Sequence, residues 1–246
     1  MAEYKDCYVA FFDVLGFKDL LTHASCDDVV TLFEKAKQFH YWTHKEDSPT
    51  NPNNENAIPI IAPDKINIKI VSDSICIFVE SQVPNSLPGL IATCASYQAK
   101  MLELRNPVLL RGGISRGNLY YDGDIIFGPG LTEAYLLESK NAKYPRVILT
   151  EQLFNECDCD DDGIKGFARG LLLKDFDSFY VLNYFMIFCW MGAASRQKEI
   201  DNAYRHIQNV LAKTTDESIR SKYLYLNEKI QYYYNEMKAK AGQSNV

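Results

Sequence analysis

One acid inside an otherwise apolar run constrains this chain more than any other feature. Residues 8–17 read YVAFFDVLGF, where Asp13 is preceded by Tyr8, Val9, Ala10, Phe11 and Phe12 and followed by Val14, Leu15, Gly16 and Phe17. A short run so rich in β-branched and aromatic residues reads as a buried strand. An ionised carboxylate buried there costs on the order of several kcal/mol unless it is paired or holds a metal. The pattern recurs at residues 68–78, IKIVSDSICIF, where Asp73 is the isolated acid. Ser72-Asp73 also reads as a hairpin turn, because Ser and Asp favour turns. If the two strands are neighbours, both carboxylates converge at one sheet edge, where their combined charge calls for a cation. Hard oxygen ligands of this kind hold Mg²⁺ or Mn²⁺, which otherwise keep waters or phosphate oxygens. After Asp13, Gly16 and a helix beginning near Lys18 bring exposed amides and a positive dipole end to the same place, a setting suited to phosphate.

The rest of the composition narrows the class. The chain has 246 residues, of which 47% are hydrophobic and 24% charged, as in an ordinary globular protein. That length suits one large domain, or one domain with an appendage. A formal net charge of −6 argues against a nucleic-acid coat. The first residues carry no secretory leader pattern, and no stretch reaches about 18 uninterrupted apolar residues, so the expectation is a cytoplasmic protein with no membrane span. Residues 185–194 come nearest and are too short. Seven cysteines stand at 7, 26, 76, 94, 157, 159 and 189. In a reducing compartment most should be small buried hydrophobes. Cys157-Asp158-Cys159 lacks metal-site spacing, and His23, His40, His44 and His206 do not cluster, so an acidic surface turn before Gly163 is the better reading.

Strand-like and helix-like segments alternate. Helical spacing covers residues 18–42, and residues 48–56 are a loop rich in Pro and Asn. Strands are expected at 66–71 and 74–79, a helix at 87–105, a strand at 108–115, a turn running into a helix at 125–138, a short strand at 146–150, and two strands within 170–184. From about residue 195 the apolar positions Ala203, Ile207, Val210, Leu211, Tyr223, Leu224, Leu226 and Ile230 are helically spaced. The expected organisation is a domain over residues 1–187 and a C-terminal helical extension over 188–246. The strand-helix-strand-strand-helix-strand order predicts an α+β fold of ferredoxin-like type, with helices on one face of a mainly antiparallel sheet.

These elements resemble a known family, the class III nucleotidyl cyclases. FFDVLGF at 11–17 resembles the family's F-x-D-I-x-G-F, and VSDSICIF at 71–78 its second metal strand, G-D-x-x-x-x-x-F. LRGGISRG at 110–117 is similar to R-x-G-I-x-x-G, and FGPGLTEAYLLES at 127–139 to W-G-D-x-V-N-x-A-S-R-M-E-S. LLLKDFDSFYVL at 171–182 resembles the closing L-K-G hairpin. The likeness covers residues 4–184, in order. It departs where the purine enzymes carry an Asn and an Arg that orient the ribose and stabilise the transition state, because Thr132 and Leu136 stand there. Ile125 occupies the position of the Asp that often reads adenine, while Lys69 matches the base-reading lysine. The variants RGGIS.G, FGPGL.EAY.LE and A..PR look instead like the stand-alone pyrimidine cyclases of the bacterial Pycsar antiphage system.

What the resemblance implies is specific. Asp13, Asp73 and Val14 would hold two divalent ions per site, Mn²⁺ or Mg²⁺. Leu15, Gly16, Phe17, Lys69 and Lys174 would bind substrate, while Arg116 and Thr132 are the candidates to replace the missing catalytic pair. Arg111 more naturally supports the sheet edge. The substrate would be UTP, closed to 3′,5′-cyclic UMP, with CTP the alternative. The working unit would be a homodimer with sites at its interface, and a separate effector protein would sense the product. Such chemistry asks a 3′-hydroxyl to lose its proton and attack the α-phosphorus, one metal lowering the hydroxyl pKa and the other holding the β- and γ-phosphates. Positive side chains offset charge on the diphosphate. Tyr41, Trp42 or Tyr97 could supply the bulk that advances a small base towards the sugar. Two other classes stay open: an inactive cyclase-fold module that binds nucleotide, and a polymerase-type palm, whose paired G-G-D/E-E-F turn is absent.

Overall fold

In the computed structural model the residues described are 2–38, 60–104, 107–157, 164–190 and 193–243. The apolar run around Asp13 forms β1 (Lys5–Leu15), an interior strand of the sheet. β2 (Asn67–Val71) and β3 (Ser74–Glu80) form a hairpin, and β3 pairs antiparallel with β1. β4 (Leu109–Asp122) pairs antiparallel with β1 on its other side. The order β2-β3-β1-β4, with helices between β1 and β2 and between β3 and β4, is the ferredoxin-like split βαβ arrangement. Beyond it the sheet continues through β6 (Val147–Leu149), parallel to β4, and then β8 (Tyr180–Leu182) and β7 (Leu172–Lys174). β5 (Ile125–Phe127) folds back on the end of β4.

Alternation along β1 divides the interior. Tyr8, Ala10, Phe12 and Val14 face a large core shared with α3 (Ser86–Glu103), whose Leu90, Ile91, Cys94 and Ala95 are fully buried. Cys7 and Val9 face the opposite way, into a smaller core with Cys76, Phe78, Leu119 and Ala134. That second core is covered by α4 (Pro129–Leu136), so helices lie on both faces of the sheet, not on one as the element order suggests. The RGG sequence makes this possible. A Cβ at Gly113 would stand 2.5 Å from the Ala134 carbonyl oxygen and 2.5 Å from Leu137 Cβ, so only glycine lets the helix sit this close.

Two further expectations need correction. The single helix over 18–42 is two, α1 (Phe17–His23) and α2 (Cys26–Gln38), because Ala24 is extended and Ser25 starts a new cap. The Ser25 Oγ accepts from the Asp28 amide at 3.2 Å while Asp28 Oδ2 accepts from the Ser25 amide at 3.1 Å, a reciprocal cap. The loop at 48–56, Tyr41 and Trp42 lie outside the described residues. The C-terminal helices are also more than an extension. α7 (Phe185–Trp190) spans the expected boundary between residues 187 and 188. Ile200, Ala203 and Ile207 on α8 (Ala193–Lys213), and Leu226 and Ile230 on α9 (Glu217–Gln243), belong to the same core as Phe12 and Leu90.

A buried polar knot seals the junction. Arg146, 2% exposed, donates to Asp175 Oδ2 at 2.6 Å and also to Asp177, while the Tyr225 hydroxyl of α9 donates to Asp175 Oδ2 at 2.7 Å. Lys229 reaches Asp175 Oδ1 at 3.3 Å, and the Tyr144 ring stacks on Tyr225 with centroids 4.9 Å apart. No helix among the described residues is long and apolar enough to cross a membrane.

The seating of α4 on β4 is testable. Gly113→Ala should lower the free energy of unfolding by about 1–3 kcal/mol in a urea titration, because the added methyl must lift the helix. A change within about 0.5 kcal/mol would contradict the close approach.

Candidate active site

The two acids meet because of register. The β1–β3 ladder ends at Asp13 opposite Ser74, and Asp73 is the next residue, in the tight Ser72-Asp73 turn between β2 and β3. Ser72 takes a left-handed conformation, φ 56°, as such turns require. The Val14 amide donates to the Asp73 carbonyl at 3.0 Å, fixing one acid's backbone to the residue that follows the other. On its other side Asp13 pairs with Arg111 of β4, so the side chains of Asp13, Ser74 and Arg111 share a face.

Arg111 turns the pair into a charge cluster. Its Nε–H donates to Asp13 Oδ2 at 3.0 Å, and the same nitrogen lies 2.6 Å from Glu138 Oε1. Glu138 sits in a π-helical turn, Leu137–Asn141, that follows α4, with a side chain only 3% exposed. Burial pushes its carboxyl above the usual carboxylate range. Arg111 opposes that shift, while Asp13 and Asp73 add to it, so all four groups act in one field. The terminal nitrogens of Arg111 make no hydrogen bond among the described residues, which leaves paired donors for an anion. Arg111 is thus more than the support of the sheet edge expected from the sequence, and Glu138, at the glutamate of the R-M-E-S pattern, is a site residue that the strand motifs did not point to.

Around the acids, Gly16 adopts φ 77° at the turn into α1, and its carbonyl accepts the Leu20 amide at 3.0 Å. Phe17 is buried against Phe33, and Val14 is also buried, so these two can offer a ligand only their backbone. Leu15 is half-buried. Lys69 lies on the Asp13 face of β2, and its ammonium donates to the Gly123 carbonyl at 2.6 Å in the β4–β5 turn. Ile125, exposed, is two residues further along the same hairpin.

Other candidates are not brought to the pair within one chain. Arg116 is five residues from Arg111 on a regular strand and so projects from the opposite face, paired in register with Tyr8. Its guanidinium is taken up by Asp6 at 2.7 Å and Glu156 at 3.0 Å. Lys174, on the edge strand β7, lies over the Tyr180 ring on that same opposite face, 3.6 Å from Glu151. Thr132 and Leu136 form an exposed strip of α4 beside Tyr4 and Phe127, and the Thr132 hydroxyl donates to the Gly128 carbonyl at 3.2 Å. Tyr97 is 1% exposed and packs on Phe12 in the large core, away from the Asp13 face. Burial pushes the thiols of Cys7 and Cys76 up to about 12, consistent with inert core residues.

The donor set at the pair fits a hard divalent cation. Asp13 and Asp73 supply carboxylate oxygens only, and among the described residues no His or Cys joins them as a ligand. Among the described residues no group of three or more His, Cys, Asp or Glu side chains is gathered as a metal site, so the pair would leave most of a cation's coordination to water or substrate oxygens.

No family model matches the chain, and no curated protein matches it. Among solved structures, the adenylyl cyclase CyaB from P. aeruginosa is similar with TM-score 0.47 and 15% identity, covering 74% of this chain and 95% of that one. An adenylate/guanylate cyclase/hydrolase from Silicibacter pomeroyi is similar with TM-score 0.42 and 18% identity, covering 63% and 81%. At these values, what the chain does rests on its own residues.

Proposed function

We propose that this chain is a class III nucleotidyl cyclase that closes UTP to 3′,5′-cyclic UMP with release of diphosphate. One observation carries the reading: register brings Asp13, at the end of the β1–β3 ladder, next to Asp73 in the adjoining β2–β3 turn, beside an arginine whose terminal nitrogens make no hydrogen bond among the described residues. In the reaction the 3′-oxygen forms a bond to the α-phosphorus, the bond from that phosphorus to the bridging oxygen breaks, and the 3′ proton leaves. Divalent ions held by Asp13 and Asp73, with the Val14 carbonyl, would supply Lewis acidity to the attacking oxygen and charge neutralisation to the triphosphate. The Gly16 turn, with the backbone of Leu15 and Phe17, lets phosphate oxygens approach the main chain. Arg111 offers its terminal N–H groups to a phosphate oxygen. Lys69, at the mouth of the β4–β5 hairpin, is the donor that a uracil O4 accepts and a cytosine amino group cannot.

The groups that stand away from the pair support a homodimer. Thr132, the exposed strip of α4 and Lys174 serve a site only if a second chain supplies them, in an antiparallel pairing with two equivalent sites. Arg116 could join them only by releasing Asp6 and Glu156. Thr132 and Leu136 in place of the Asn and Arg favour one competing reading, an inactive module that binds nucleotide. The Pycsar-like variants support a role in bacterial antiphage defence, in the cytoplasm, with a separate effector reading the product.

Three outcomes test the proposal. Incubated with each of the four NTPs and Mn²⁺, the protein should yield cyclic UMP by mass spectrometry, and Asp13→Ala or Asp73→Ala should lower the rate at least about a hundredfold. Product from the Asp variants at the wild-type rate would refute the reading, and tight nucleotide binding without product would favour the inactive module. Mixing Asp13→Ala chains with Thr132→Ala chains should restore activity through one intact site per heterodimer; no recovery, with a monomer in sedimentation, would exclude the shared site. Lys69→Ala should lower kcat/KM for UTP by at least about tenfold and narrow the UTP-to-CTP ratio. An unchanged ratio would reduce Lys69 to a latch between β2 and the β4–β5 turn.

A further inference from the structure

We propose that Glu138 is a positioning residue that keeps Arg111 from capturing Asp13, and thereby sets how tightly the Asp13–Asp73 pair holds a divalent cation; this rests on the metal reading of that pair. Arg111 has a single Nε–H and two claimants for it. The hydrogen bond points to Asp13 Oδ2 at 3.0 Å, yet the nearer oxygen is Glu138 Oε1 at 2.6 Å. That Glu138 oxygen is buried and accepts no directed hydrogen bond, so it draws the guanidinium by charge with its own acceptor capacity unfilled.

The two acids differ in freedom. Asp13 is 21% exposed at the end of the β1–β3 ladder and can turn towards a cation. Glu138 is 3% exposed, and the π-turn that carries it is closed by the Ala142 amide, which donates to the Leu137 carbonyl at 3.0 Å and the Glu138 carbonyl at 3.2 Å. When Asp13 takes a cation, Arg111 therefore has a fixed counter-ion to fall back on, and its charge stays compensated. Without Glu138 the only remaining ion-pair partner among the described residues is Asp13, and Arg111 becomes a tethered competitor for the metal ligand. Residues around a metal site that act through its ligands tune affinity in this way, by about 10- to 100-fold.

The test is a cycle of Mn²⁺ affinities, read by electron paramagnetic resonance of free Mn²⁺, on the full chain without nucleotide. Glu138→Gln should weaken binding about tenfold. Arg111→Met should bind at least as tightly as wild type, and adding Glu138→Gln to it should change affinity by less than about twofold, because the effect passes through Arg111. No loss in Glu138→Gln, or the same loss in both backgrounds, would overturn the proposal and leave the two-acid metal site standing. Absence of Mn²⁺ binding by wild type would remove the metal reading and this proposal together. Thermal unfolding of each variant separates lost binding from lost fold. Should Glu138→Gln fail to fold, Arg111→Met alone decides, and weaker binding than wild type would overturn the proposal.

Discussion

The candidate site hangs from the way β1 is held between β3 and β4. One residue of slip on either side would turn Asp13 into the large core and bring Phe12 or Val14 to the edge in its place. Both ladders are long, and the large core on one face and the smaller one on the other each penalise such a slip. The Val14 amide bond to Asp73 adds a lock at the functional end. Position of the acids is therefore a property of the whole central sheet, not of the loop that carries one of them.

Glycine has the complementary role on β4. Its RGG segment puts a charged side chain at 111 and no side chain at 113, two residues apart on the same face. Arg111 reaches the acids, and the bare backbone beyond it admits α4 and the π-turn. A cation, a buried glutamate and a close helix are thus consequences of three consecutive residues.

Much of this was legible in the sequence, and the reasons are physical. An isolated acid in an apolar strand is conspicuous because it violates the burial rule, so Asp13 and Asp73 could be found without a structure. Hairpin order and the split βαβ arrangement followed from apolar spacing. Register was not legible: five residues of spacing put Arg111 and Arg116 on opposite faces of one strand, but only the observed pairing shows that Arg111 is the one opposite Asp13. Glu138 was hidden because helical spacing continues smoothly through Leu136 and Leu137, whereas the π-turn winds the chain differently. Ala24 gave no sign of an extended residue, since alanine is a strong helix former.

The buried knot of Arg146, Asp175, Tyr225 and Lys229 bears on how the chain comes into being. Synthesis proceeds from the N-terminus, so β6 and the β7–β8 hairpin leave the ribosome well before α9 does. Until Tyr225 and Lys229 arrive, Asp175 has Arg146 for company and one side of α7 stays bare. A nascent chain halted before residue 217 would carry Asp13, Asp73 and the central strands but expose an open apolar wall, a substrate for chaperones and proteases. Packing of the β7–β8 hairpin and docking of α9 are thus coupled through Asp175, although they lie some 50 residues apart in the chain.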